Sequence, residues 1–433
     1  MVSSDCTLDP AALASIAGER LDWRFKSIPA GLWGLTLAEA AARRPNLFTD
    51  GFVGPVVVLE AGALDHNLRT MAQWCDRAGV RLAPHGKTTM APQLFARQAE
   101  HGAWGITAAN TSQLRVYRAF GVSRVLLANQ LVDPAALRWL GAELDAHPEF
   151  EFSCWVDSVT SVELMTEALA GVDRPVDVLV ELGGDGGRTG VRDLATGLAV
   201  AEAAHASPAL RLAGTGGYEG ALAHDPGERS RDVVAAYLRN LRELTREIAD
   251  RGLFARLDQV IVTAGGSAYF DQVAAALTED WGGLPVVPVL RSGAYVTHDD
   301  GFYRGISPLG EHPRIDGTPP FRSALRAWAQ VTSRPTDELA LLTLGKRDAS
   351  FDEGLPEPQW HRRPGGEPEK LAGHTVTALN DQHAFLALPP DSPLRVGDWV
   401  GLGLSHPCTV FDKWPLLPVV DGDTVVGFVR TYF

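Results

Sequence analysis

The sequence predicts an α/β fold, a TIM-like (β/α)8 barrel followed by an all-β domain. Three observations predict it. From about Pro55 to Ser307, short apolar runs alternate about eight times with segments of helical spacing. The runs are continuously apolar, as parallel strands covered on both faces must be. After Ser307 the texture changes to Pro- and Gly-rich stretches and short alternating runs, which read as strands of a separate domain.

Each element follows in order. Residues 1–52 are mixed, with helices expected near Pro10–Glu19 and Leu35–Arg43, and are expected to pack with the β domain. The barrel is expected over 53–306. Val56–Leu59 reads as its first strand, and Leu64, Leu68, Met71 and Cys75 mark one face of the helix after it. Further strands are expected at Arg81–Pro84, Trp104–Thr107, Arg124–Ala128, Phe150–Val156, Val176–Glu181, Arg211–Thr215, Gln259–Thr263 and Val286–Leu290, each followed by a helix except the last. No GxGxxG follows the first run, which weighs against an open dinucleotide-binding sheet. The β domain is expected over 307–433, with a polar loop at Gly354–Pro368 and strands within His374–Leu388, Gly397–Leu404 and Thr424–Val429.

Composition narrows the partners. The 433 residues are 45% hydrophobic and 21% charged, ordinary for a globular protein. A net charge of -14 argues against nucleic acid and anionic membranes, and a phosphate group would need local donors. The four cysteines (Cys6, Cys75, Cys154, Cys408) form no CxxC pair, and no run of about 18 apolar residues occurs. These features predict a cytoplasmic protein without a membrane span.

One lysine stands out. The chain has five lysines, and between Lys26 and Lys346 the only one is Lys87, although arginine is abundant there. An amine can lose its proton when desolvated and form a Schiff base, whereas a guanidinium stays charged. Lys87 lies in Pro84-His85-Gly86-Lys87-Thr88, just after a strand. This string resembles the cofactor-lysine motif of the D-serine dehydratase and D-threonine aldolase family, fold-type III enzymes that use pyridoxal phosphate (PLP). The resemblance runs from about Pro55 to the C-terminus.

In a βα barrel, ligands sit where strands end. With Val56–Leu59 counted first, Arg188 lies in the Gly-rich segment after the sixth strand, Glu181–Gly190, and resembles the family's arginine beside the cofactor ring. Tyr218, after the seventh, resembles the family's tyrosine near the pyridine ring. Gly265, Gly266 and Ser267 follow the eighth strand and open a helix, so their N–H groups are expected to form an anion nest for the phosphate. Gly293, Ala294 and Tyr295 resemble a second phosphate element, with a backbone contact from the first two and a hydroxyl contact from Tyr295.

Near the C-terminus stands Ser405-His-Pro-Cys-Thr-Val-Phe-Asp-Lys-Trp414. If the segment is extended, His406 and Cys408 point to one face, and imidazole with thiolate suits Zn²⁺. Two protein ligands would leave room for water and a substrate oxygen. The string is similar to the D-serine dehydratase signature; related aldolases carry Asp at the position of Cys408. Three departures stand against the dehydratase pattern. Gln382 occupies the acidic position before His383, which is then at most a group behind the metal. Thr89-Met90 follows Lys-Thr where relatives often have His-Lys, and Tyr218-Glu-Gly is closer to the aldolase pattern.

The resemblance implies a PLP- and zinc-dependent enzyme with Lys87 and Arg188 as catalytic residues. Its substrate would be a small D-amino acid carrying a β-hydroxyl. The favoured reaction is elimination of water to give a 2-oxo acid and ammonia. The alternatives are retro-aldol cleavage, a racemase, for which no second base stands out, and a non-catalytic PLP-binding protein. The family implies a homodimer.

Overall fold

A computed structural model describes residues 6–433. Eight parallel strands form the barrel: β2 (Arg81–Leu82), β3 (Ile106–Ala108), β4 (Arg124–Gln130), β5 (Glu151–Val156), β6 (Val176–Leu182), β7 (Leu210–Gly217), β8 (Val260–Ala264) and β9 (Val286–Leu290). They are ordered β2-β9-β8-β7-β6-β5-β4-β3, and a parallel bridge between His85 and Thr107 joins the two ends. Side-chain caps start four of the intervening helices: Asn110, Asp133, Ser158 and Asp193 each accept a backbone N–H of the first turn.

The strand expected to open the barrel does not belong to it. β1 (Val56–Glu60) runs antiparallel to Leu325–Thr336 and parallel to Leu416–Asp421, inside the second domain's ten-stranded sheet. Its residues Val56–Leu59 are fully buried. An all-apolar run of this kind looks the same in either sheet, so only pairing decides its place. The barrel therefore begins at Arg81, and Lys87 follows its first strand rather than its second.

The segment Gly354–Pro368, expected as a polar loop, contains the strand Glu357–Arg362, paired with Trp399–Gly403. Two polar residues on its opposite faces are buried: His361 lies against Asp398 at 3.1 Å and Arg362 against Asp423 at 2.6 Å. Hydrophobic periodicity cannot register a strand whose buried positions are polar residues held by side-chain hydrogen bonds.

The N-terminal segment shares a core with the second domain. Leu21, Phe25, Leu32 and Leu47 pack with Val56, Trp328, Trp399 and Phe428, and Phe48 meets the Trp328 ring edge-on at 4.9 Å. Its second helix, Leu37–Ala42, starts at a capping box of Thr36 and Glu39. Among the described residues, no helix is long and apolar enough to cross a membrane.

Candidate active site

The C-terminal ends of the barrel strands and two loops of the second domain enclose a cavity of about 480 Å³. Lys87, Arg188, Tyr218, Gly265, Gly266, Ser267, Gly293, Ala294, His406 and Cys408 all line it. Residues spread over more than 300 positions of sequence thus converge.

Lys87 sits in a single 3-10 turn, Gly86–Thr88. The turn needs glycine at 86, because a Cβ there would stand 2.5 Å from the Tyr117 hydroxyl. Burial pulls the Lys87 ammonium below its ordinary pKa, and the charges of Arg188 and Arg291 act in the same direction. A lysine so placed gives up its proton more readily than one in water. The Arg188 guanidinium lies 4.8 Å from the centre of the Tyr218 ring. Burial pushes the Tyr218 phenol up to about 12, so it is a neutral hydroxyl at physiological pH.

The segment expected to form an anion nest is built differently. The N–H groups of Gly265 and Gly266 are already taken by the Glu219 carboxylate, at 2.9 and 3.1 Å. The helix after β8 begins only at Phe270. The Ser267 hydroxyl accepts the Ala294 N–H at 3.2 Å. Among the described residues, the N–H groups of Ser267, Ala268 and Gly293 have no partner, and these three residues line the cavity. Tyr295 does not line the cavity; its hydroxyl accepts from Gln98 at 3.3 Å. The fully buried Glu219 is the reason for the shift: it needs donors and takes the nearest pair.

His406 and Cys408 do come together, but not on an extended segment. His406 has left-handed backbone (φ 47°), Pro407 is helical, and Cys408 opens a short helix to Phe411. The His406 N–H donates to Asp299 at 3.0 Å, and its Nδ1 lies 2.6 Å from Asp352. The hydrogen bond with Cys408, and then Asp352, raise the imidazole pKa to about 9. Burial alone would raise the Cys408 thiol, but His406, Thr88 and the charge of Lys87 bring it below its ordinary value. The Cys408 sulfur faces the Thr88 hydroxyl at 3.5 Å. His383 is exposed at a hairpin turn between Thr375–Leu379 and Ala384–Ala387 and does not line the cavity.

Four further residues belong to the site. Arg291 is buried and lines the cavity, donating to the Thr263 hydroxyl and the Gly217 carbonyl at 2.6 Å each. An arginine placed directly after an apolar strand was the available signal. Tyr303 and Trp155 line the cavity, and Asp352 holds His406; none carries a local sequence mark.

The model of the alanine racemase N-terminal domain family matches residues 59–281, and that of the serine dehydratase domain matches residues 324–420. The chain belongs to the fold-type III, alanine-racemase-like PLP family. D-threonine aldolase of an Arthrobacter species is 29% identical over 338 residues, 78% of this chain and 80% of that protein. D-threo-3-hydroxyaspartate dehydratase of Delftia sp. (strain HT23) is 29% identical over 142 residues, 32% of this chain and 35% of that protein. The crystal structure of D-threonine aldolase from Filomicrobium marinum aligns with a TM-score of 0.74 at 25% identity, covering 88% of this chain and 95% of that one.

The cavity of this fold-type III chain fits the family's cofactor. Its volume lies in the range typical of small-molecule sites, about 300–1,000 Å³. Among the described residues, Trp155 Nε1 and His85 Nδ1 are likewise buried without a partner, and both residues line the cavity. The donor pair for a metal is an imidazole nitrogen and a thiol of lowered pKa, the soft set that zinc accepts. Among the described residues, no group of three or more His, Cys, Asp or Glu could hold a metal ion, so any metal here rests on two side chains.

Proposed function

We propose that this chain is a PLP- and zinc-dependent lyase that eliminates water from a D-β-hydroxy amino acid. The observation that carries the reading is one cavity with Lys87 and the His406–Cys408 pair among its lining residues. Lys87 and Arg188 are the proposed catalytic residues.

Lys87 would bind PLP covalently, with the N–H groups of Ser267, Ala268 and Gly293 toward its phosphate and Arg188 and Tyr218 beside its ring. His406 and Cys408 would hold zinc. When bound, PLP supplies an electron sink at Cα, and zinc supplies Lewis acidity at the β-oxygen. Once the substrate amine has displaced Lys87 from the cofactor, the freed Lys87 amine, made less basic by burial, would take the proton from Cα. The electron pair left behind would expel the β-oxygen as hydroxide, which becomes water by taking the proton that Lys87 gained. Hydrolysis of the resulting enamine gives a 2-oxo acid and ammonia. Arg188 holds its positive charge over the Tyr218 face, so it stays oriented toward the cavity.

A second reading, cleavage of Cα–Cβ to glycine and an aldehyde, is favoured by one observation: in sequence, the aldolase relative matches 78% of the chain and the dehydratase 32%. In that reaction a base must reach the β-hydroxyl and the proton on Cα stays in place. D-serine, D-threonine and D-threo-3-hydroxyaspartate are the test substrates. Ammonia with pyruvate, 2-oxobutyrate or oxaloacetate supports elimination. Glycine and an aldehyde without ammonia support the second reading. Our reading also includes a cytoplasmic homodimer, supported by the four free cysteines and by the family.

A further inference from the structure

The His406 side chain is fixed from behind. Its Nδ1 lies 2.6 Å from one oxygen of Asp352, and the other oxygen of Asp352 accepts the Thr409 hydroxyl at 2.9 Å. The Asp352 carboxylate therefore has a partner on each oxygen and cannot rotate without breaking one bond. The same Thr409 hydroxyl reaches the His406 carbonyl at 3.3 Å, closing a small ring of contacts. The backbone is held as well: the His406 N–H donates to the buried Asp299, whose other oxygen accepts the N–H groups of Gly301, Tyr303 and Arg304. The left-handed conformation of His406 is uncommon for a residue with a side chain and persists because these contacts impose it.

This arrangement has a chemical consequence. In the neutral ring that a metal would require, a carboxylate on Nδ1 keeps the proton there and leaves the lone pair on Nε2, the nitrogen that remains to meet Cys408. Asp352 does not line the cavity, so it is not a direct donor to a ligand. We propose that Asp352, locked by Thr409, is a positioning residue that sets the tautomer and orientation of His406 for metal binding with Cys408. The inference rests on the metal role given above to His406 and Cys408. A carboxylate behind a ligating imidazole also raises its basicity, and loss of such a partner typically weakens metal binding about 10–100-fold.

The test measures metal binding rather than turnover. Purified PLP-loaded wild type, Asp352→Ala, Asp352→Asn and Thr409→Val are stripped with chelator and titrated with Zn²⁺ against a chromophoric competitor. The PLP absorbance of each is recorded alongside. The expected result is about 10–100-fold weaker Zn²⁺ binding by Asp352→Ala, a smaller loss in Asp352→Asn, which can still accept from Nδ1–H, and unchanged PLP absorbance. Thr409→Val is expected to lie between wild type and Asp352→Ala. Wild type that binds no Zn²⁺ would overturn the metal role and this inference with it. Wild type that binds, with Asp352→Ala binding equally, would overturn the inference alone. Loss of PLP together with Zn²⁺ in Asp352→Ala would assign Asp352 a structural role instead.

Discussion

The Glu219 carboxylate accepts the N–H of Gly265 at 2.9 Å, tying the loop after β7 to the loop after β8. It does so with no exposure to solvent, and burial raises its pKa against the pull of the two glycine N–H groups and Arg291. Replacing Glu219 with Ala strands two buried donors and removes the nearest negative charge from Arg291. The expected cost is about 3 kcal/mol, read from urea unfolding of the PLP-loaded protein. A change below about 0.5 kcal/mol would mean that the loops are held by other contacts.

Borohydride reduction of the yellow protein is expected to place the PLP adduct on Lys87. Lys87→Arg keeps the charge and loses the adduct. Peptide mass spectrometry locating the adduct on Lys26, Lys346, Lys370 or Lys413 would remove the basis of the proposed site.

Metal and phosphate are assigned to different walls of the cavity, so they should separate experimentally. Chelation, or Cys408→Ala, is expected to abolish turnover of a D-β-hydroxy amino acid while the PLP spectrum persists. Turnover that survives exhaustive chelation would show that no metal assists departure of the β-oxygen.

Gly86 has no room for a side chain, with Tyr117 at 2.5 Å and Ile106 at 2.9 Å from a built Cβ. Gly86→Ala is expected to cost about 1–3 kcal/mol, the range for overpacking a filled core. It should also slow PLP trapping on Lys87, because relief of the clash moves the turn. A variant with wild-type melting temperature and trapping rate would contradict the packing argument.

His298 gives the pH prediction. Burial, and then Arg304, lower its imidazole pKa from 6.5 to about 4. The fold therefore favours the neutral ring. This contribution to stability is complete above pH 6.5 and is lost as pH falls toward 4, by about 3 kcal/mol in all. His298→Asn, which tolerates the left-handed backbone found there (φ 51°), should flatten that part of the stability profile. Parallel unfolding curves of wild type and variant between pH 7 and 4.5 would refute it.

Local patterning determined a good part of this protein. Apolar runs separated by capped helices gave seven barrel strands from β3 to β9 and the strand of Lys87, because a strand covered on both faces must be apolar whatever its neighbours. The lone Lys87 and the His406-x-Cys408 pair were legible because amine, imidazole and thiol chemistry depends on residue type more than on context. Tertiary structure decided what depends on partners. Val56–Glu60 could join either sheet, and its hydrogen bonds put it with Leu325–Thr336. Gly265 and Gly266 looked like an anion nest, but Glu219, 46 and 47 positions away, fills it. Asp352 reaches His406 across 54 positions. Such contacts join atoms that are neighbours only after folding, and no periodicity or spacing in the chain encodes them.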